Sequence, residues 1–285
     1  DTTAGLGGHT GLMARRLRSG RVIALDRDAE SIEKAKANTL DCAERITFRH
    51  SRFSQLSATL RELRVGKVDG MLTDLGVSKY QLTSEGRGFS FQQPGPLDMR
   101  MDRGQELTAA DLVNTASEKD LADWFFRYGE ERRYARRLAR ATVRARQIRD
   151  AAEYAELIAS VAPRTGKLHP ATRVFQALRM VVNDEEGELE ALLEQAPEWI
   201  KPGGRWVVIA FQSLDDRRVK QAFRDLARAG RALILTKHVV RPEADEIRTN
   251  PPSRSAVLRA LEMLGQGRNE QEELRQAGSR RMEER

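Results

Sequence analysis

The chain has 285 residues, 40% of them hydrophobic and 32% charged, which is ample core for one large or two moderate independently folding domains. A net charge of +7 and a pI of about 9.8 favour a polyanionic partner without requiring one. Cys42 is the single cysteine, which excludes an intramolecular disulfide and a thiolate metal cage. No apolar run approaches the roughly 20 residues that span a bilayer, so no membrane partner and a reducing cytoplasm are expected.

The chain opens on Asp1, in what reads as the middle of a motif, and residues upstream are expected. DTTAGLGGHT, from Asp1 to Thr10, is a glycine-rich turn leading into a helix over Gly11 to Leu17. Arg21 to Asp26 is a short apolar strand ending in an acid, and Ala29 to Leu40 has helical composition. Ile46 to His50 and Val68 to Asp74 are further strands. Strands alternating with helices predict a doubly wound, mostly parallel sheet.

After Ser78 the pattern changes. Gln81 to Asp102 is rich in Gly, Pro and charge and reads as a long ordered loop, a feature usually tied to function. From Thr108 to about Ala162 the chain is helical, with Thr108 and Ser117 as N-caps. Arg133, Arg137, Arg140 and Arg144 recur at helical spacing and are expected on one face. Helices are predicted over Ala171 to Asn183 and Glu185 to Trp199. Strands return at Gly204 to Phe211, Ala232 to Val240 and Ser255 to Leu261, with Asp215 and Asp216 expected to cap a helix between the first two. The polar tail after Gly265 is expected to fray. The predicted domains are therefore a split α/β unit, 1–102 and 182–285, around a helical insertion, 103–181.

Two constellations carry chemistry. Gly5, Gly7, Gly8 and His9 let a ligand approach the backbone at a helix start, and Asp26 ends the next strand, where an acid accepts bonds from ribose hydroxyls. That pattern fits NAD, FAD and S-adenosylmethionine alike, and a purely structural turn is the plain alternative; GLGGH departs from the GxGxxG dinucleotide fingerprint. Asp74 ends the strand VDGMLTD and is followed at once by the Leu75-Gly76 turn, which puts a carboxylate at the ligand edge of the sheet. There it either orients substrate or caps the turn. In Arg87 to Asp102, arginines and phenylalanines suit an RNA strand, although Phe89 and Phe91 read better as anchors to the core. Neither the four histidines nor the cysteine form a metal-ligand pattern.

LTDLGVS with Gln81, RGFSF, GPLDMRMD, YGEE, HPATRVFQALRMVVNDEEGEL, KPGGR, AFQSLDDRRVK and NPPSRSAVLR occur in an order that resembles the RsmH (MraW) family, from Asp1 to about Glu262. The resemblance implies a class I S-adenosylmethionine-dependent methyltransferase fold, Rossmann-like, with an inserted all-helical domain. It implies methylation of a cytosine N4 amine in 16S ribosomal RNA of the small ribosomal subunit. It also implies that Gly7, Gly8 and His9 contact the methionine end of the cofactor, that Asp26 binds its ribose, and that Phe53 lies at the adenine pocket. Asp74 and Gln81 then complete the cofactor site; its position at the strand end makes Asp74 the residue expected nearest the reacting centre and the expected catalytic residue.

Arg87, Arg100, Arg133, Arg137, Arg140 and Arg173 are the expected RNA contacts, and a homodimer stays open. The chain departs from the family pattern in its first loop, at Gln212, which replaces a histidine, and at Pro252, which replaces an arginine. The family's upstream His-x-Pro-Val motif is absent. These departures keep open a catalytically weakened RNA-binding or ribosome-assembly protein on the same fold.

Overall fold

The computed structural model describes residues 1–92, 94–164 and 169–265. Among these residues six strands form: β1 (Val22–Asp26), β2 (Ile46–His50), β3 (Val68–Asp74), β4 (Ile200–Ala210), β5 (Ala232–Ile234) and β6 (Val257–Met263). β1 and β2 pair in parallel from Val22 opposite Ile46 to Asp26 opposite His50. β3 and β4 pair in parallel, with Asp74 opposite Ile209. β6 runs antiparallel to both β4 and β5.

Asp1 to Ala4 stitches the two groups of strands together. Leu25 N donates to Asp1 O and Ala4 N to Leu25 O, both at 2.8 Å, while Thr2 N donates to Leu72 O at 2.9 Å. The resulting order is β2, β1, the Asp1–Ala4 segment, β3, β4, β6, β5. All the parallel elements end on one edge, where ligands of open α/β sheets bind.

Helices α1 (Gly8–Arg16), α2 (Ala29–Asn38), α3 (Leu56–Glu62) and α4 (Lys79–Thr83) accompany the first strands. Asp28 starts α2 by accepting Glu30 N and Ser31 N on its side chain, which satisfies two otherwise unpaired donors. The insertion consists of α5 (Ala109–Thr115), α6 (Glu118–Arg127), α7 (Ala135–Arg144), α8 (Ala151–Val161) and α9 (Ala171–Val182). Thr108 and Ser117 cap α5 and α6 as expected, accepting Asp111 N and Asp120 N. α10 (Glu185–Trp199), α11 (Ser213–Arg228) and α12 (Ala244–Thr249) complete the chain.

Two cores dominate. Beneath the sheet, Leu25, Leu56, Met71, Leu189, Trp206 and Phe223 pack together. The helices bury Leu121, Phe125, Leu138, Tyr154, Phe175 and Leu178. This second core also takes in Phe89, Leu97, Met99, Met101 and Val182, residues that the expected boundaries assigned to the α/β unit. Phe91 packs against His169 at a tilt and edge-on against Phe175, with ring centroids 4.8 and 5.0 Å apart, so both phenylalanines anchor the long loop.

Three expectations need correcting. The strand begun at Ala232 stops at Ile234, and the chain returns only through a bridge between Val240 and Leu258. Neither Asp215 nor Asp216 caps α11: the cap position is Gln212, and Asp216 holds Arg259 by bonds of 2.6 and 2.9 Å. α7 begins at Ala135, so Arg133 precedes the helix that was expected to carry it. The tail after Gly265 lies outside the described residues.

Candidate active site

The glycine turn, Asp26 and Asp74 converge at the strand ends. Gly7 is the N-cap of α1 with φ 86°, a conformation that favours glycine, and a Cβ there would stand a tight 3.2 Å from Ala35 Cα. A Cβ on Gly8 would meet nothing within 4 Å, which leaves the first turn of α1 accessible to a ligand.

Asp26 ends β1 and ties the turn to the sheet. Its Oδ2 accepts Gly5 N at 2.7 Å and its Oδ1 accepts Asp28 N at 2.8 Å. Burial pushes its pKa up to about 6 against these two bonds. Each oxygen retains a lone pair for a further donor such as a ribose hydroxyl.

Asp74 ends β3, and its backbone N donates to Thr3 Oγ1 at 2.7 Å. Oδ2 lies 3.6 Å from His9 Nδ1 in the first turn of α1. Oδ1 is buried without a hydrogen-bond partner among the described residues. Burial raises the pKa of this carboxylate, and the neighbouring His9 opposes the rise. An orphaned, buried acceptor beside an open helix start fits a ligand that brings its own donor or positive charge. Phe53 follows β2 on the same edge, partly buried against the sheet core.

Behind this edge lies a network that sequence reasoning had divided differently. Arg87 is 1% exposed; its Nη2 donates to Asp28 Oδ2 and its Nη1 to Glu30 Oε2, both at 2.8 Å, and Nη2 also reaches the carbonyls of Arg100 and Met101. A side chain so enclosed holds the loop over α2, and its assignment as an RNA contact is corrected. Arg100 is likewise turned inward, bonded to both Asp98 oxygens at 2.7 and 2.9 Å and to Gln105 O at 2.6 Å. Gln81 is 5% exposed; its amide donates to Asp28 Oδ2 at 2.9 Å and accepts Ser78 N at 2.9 Å. It therefore braces the loop after Asp74 against the cap of α2.

Asn183, which sequence reasoning missed, ties the end of α9 to the long loop. Its side chain accepts Met101 N and donates to Met99 O, both at 2.8 Å, at zero exposure. Its place just after a helix was the available signal, since a buried Asn at a helix end needs partners.

On the insertion, Arg133 and Arg137 are exposed and lie over the ring of Tyr134 at 5.4 and 5.6 Å. Arg140 is exposed and reaches Glu118 at 3.4 Å, and Arg173 pairs with Glu131 at 3.2 Å. Glu131 also accepts the backbone N of Arg133 and Tyr134 at 3.3 and 3.1 Å, fixing the entry to α7. Two contacts connect this region to the sheet edge. Gln176 Nε2 donates to Tyr128 O at 3.0 Å and to Gln212 Oε1 at 2.9 Å, and Ser213 Oγ donates to Glu130 Oε1 at 2.7 Å.

Among the described residues, no cluster of three His, Cys, Asp or Glu side chains is arranged to hold a metal ion, and no helix is long and apolar enough to cross a membrane.

The sheet order, with its antiparallel penultimate position and its ligand edge at the glycine turn, Asp26 and Asp74, is that of a class I S-adenosylmethionine-dependent methyltransferase. The model of the MraW methylase family matches residues 1–264, and the chain belongs to that family. It is 57% identical over 263 residues to the ribosomal RNA small subunit methyltransferase H of Solibacter usitatus, covering 92% of each chain. It is 47% identical over 266 residues to the protein of that name from a Cyanothece species, covering 93% of this chain and 87% of the relative.

Proposed function

We propose that this protein transfers a methyl group from S-adenosylmethionine to the N4 amine of a cytosine in 16S ribosomal RNA of the small ribosomal subunit, acting in the cytoplasm. The observation that carries the reading is the orphaned Oδ1 of Asp74, held at a strand end beside the open first turn of α1. The Gly7–His9 turn would hold the methionine end of the donor, Asp26 its ribose, and Phe53 would border its adenine. When bound, the donor supplies an electrophilic methyl on a positive sulfur.

The chain's own residues then have two tasks. The exocyclic amine of cytosine is a poor nucleophile, because its lone pair is delocalised into the ring. Asp74, accepting an N–H of that amine, draws the lone pair out of conjugation and steers it toward the methyl. The donor would accept the electron pair of the transferred carbon on its sulfur, so the chain has only to place the amine and take up its proton. The surplus amine proton moves to the Asp74 carboxylate and on to solvent. Positioning supplies much of the remaining acceleration, and the base must be unpaired or flipped to reach the site.

The exposed arginines at 133, 137 and 140, with Arg173, would bind the RNA backbone through the helical unit; a homodimer stays open. The weakened, non-catalytic reading is not favoured. It rested on Gln212 and the altered first loop; the side-chain oxygen of Gln212 accepts from Gln176, and the Asp74 site keeps its glycine turn and both acids. The test is to replace Asp74 and measure methyl transfer alongside RNA affinity; full activity without the carboxylate contradicts the assignment.

A further inference from the structure

We infer that the exposed ring of Phe211 is the surface on which the target base stacks while its amine is presented to Asp74. This rests on the reading of the site as a base methylase, and it adds a substrate-contacting residue that neither the glycine turn nor the two acids supply.

Asp74 lies opposite Ile209 in the parallel β3–β4 pair, and Leu75 N donates to Ile209 O at 2.9 Å, so the pairing continues past the strand end. The next two positions bring Gly76 and Phe211 together. A Cβ on Gly76 would stand 3.8 Å from Phe211 Cδ2, so the ring lies over the turn that follows Asp74. Gly76 has φ 111°, which disfavours any other residue there, and the ring rests on this turn at van der Waals distance with its other side toward solvent.

Exposure points the same way. Phe211 is 36% exposed, and the other exposed phenylalanine among the described residues, Phe126, sits on α6 in the insertion. The remaining aromatic groups near the strand ends are engaged: Phe53 packs on the sheet core, Phe89 on the helical core, and Tyr80 carries Lys34 over its ring at 4.5 Å. A flipped base is held by stacking on an aromatic face combined with hydrogen bonds to its polar edge. Phe211 offers the face and Asp74 Oδ1 offers the acceptor.

A stacking platform must also be held still. The two residues after Phe211 are tied down from the insertion side, Gln212 by Gln176 and Ser213 by Glu130. The segment that carries the ring is thus clamped to the turn from which α7 and its arginines depart. Backbone binding by the insertion and base capture at the sheet edge share one rigid link.

The test compares wild type with Phe211→Ala, Phe211→Tyr and Phe211→Trp on small ribosomal subunits lacking the modification. Methyl transfer, S-adenosylmethionine affinity by calorimetry and thermal midpoint are measured for each. The expected result is a fall in kcat/KM of about 10- to 100-fold for the alanine variant, near-wild-type rates for tyrosine and tryptophan, and unchanged donor affinity and melting. Wild-type-like kcat/KM in the alanine variant overturns the inference alone, and so does equal loss in all three variants. Failure of wild type to make N4-methylcytidine overturns the inference together with the reading beneath it.

Discussion

Asp74 and His9 face each other across the junction of β3 and α1, with Oδ2 of the acid 3.6 Å from Nδ1 of the imidazole and the second carboxylate oxygen buried and unpaired. In the proposed complex the pair sits where the methyl donor and the base amine meet. Asp74→Asn is expected to lower methyl transfer by about 10²- to 10⁴-fold, the range of a positioned proton acceptor. RNA affinity measured by filter binding should survive, because the basic groups lie elsewhere.

Asp26 gives the site a pH dependence. Its folded-state pKa of about 6 lies above the ordinary 3.8, so the folded protein binds this proton more tightly than the unfolded chain. The associated stability is fully present below the ordinary value and is lost as pH rises through about 6. In the proposed complex the ribose hydroxyls bind the ionised acid, so donor binding runs the opposite way: affinity is constant above about pH 6 and weakens by up to about tenfold per pH unit below it. Calorimetric titration from pH 5 to 8 should show this slope in wild type and a flat, weak profile in Asp26→Asn.

Arg87 is expected to behave as a structural residue. Replacing it with methionine leaves Asp28 buried without its cation, a change that typically costs about 3–5 kcal/mol. Thermal or denaturant unfolding should show the loss, with RNA affinity of the surviving folded fraction unchanged. A stable variant that binds RNA poorly would restore the expectation drawn from sequence.

The exposed arginines should behave in the opposite way. Replacing Arg133, Arg137 and Arg140 together with glutamine should leave unfolding nearly unchanged and reduce RNA affinity. If all three neutralise phosphates, the slope of log K against log salt should fall by roughly 2–3. An unaltered slope would make this face ordinary solvated surface.

Most of the α/β framework was legible in the amino acids. Ile46 to His50 and Val68 to Asp74 form strands at the expected bounds, because a short apolar run that ends in polar residues has few other ways to bury itself. Thr108 and Ser117 cap helices because their hydroxyls satisfy local backbone donors. The fate of Arg87 was not legible: Asp28 and Glu30 lie 59 and 57 residues away, and the pattern of the loop resembles a phosphate-binding segment whether its arginine points in or out. Phe211 was visible only as the last residue of a strand; its closeness to Gly76 arises from parallel pairing across more than 130 residues of intervening chain.

The most direct measurement is to incubate the protein with labelled S-adenosylmethionine and small ribosomal subunits lacking the modification, digest the RNA and identify the labelled nucleoside by mass. N4-methylcytidine from 16S ribosomal RNA is the predicted product. Label on protein, on another base, or nowhere would contradict it.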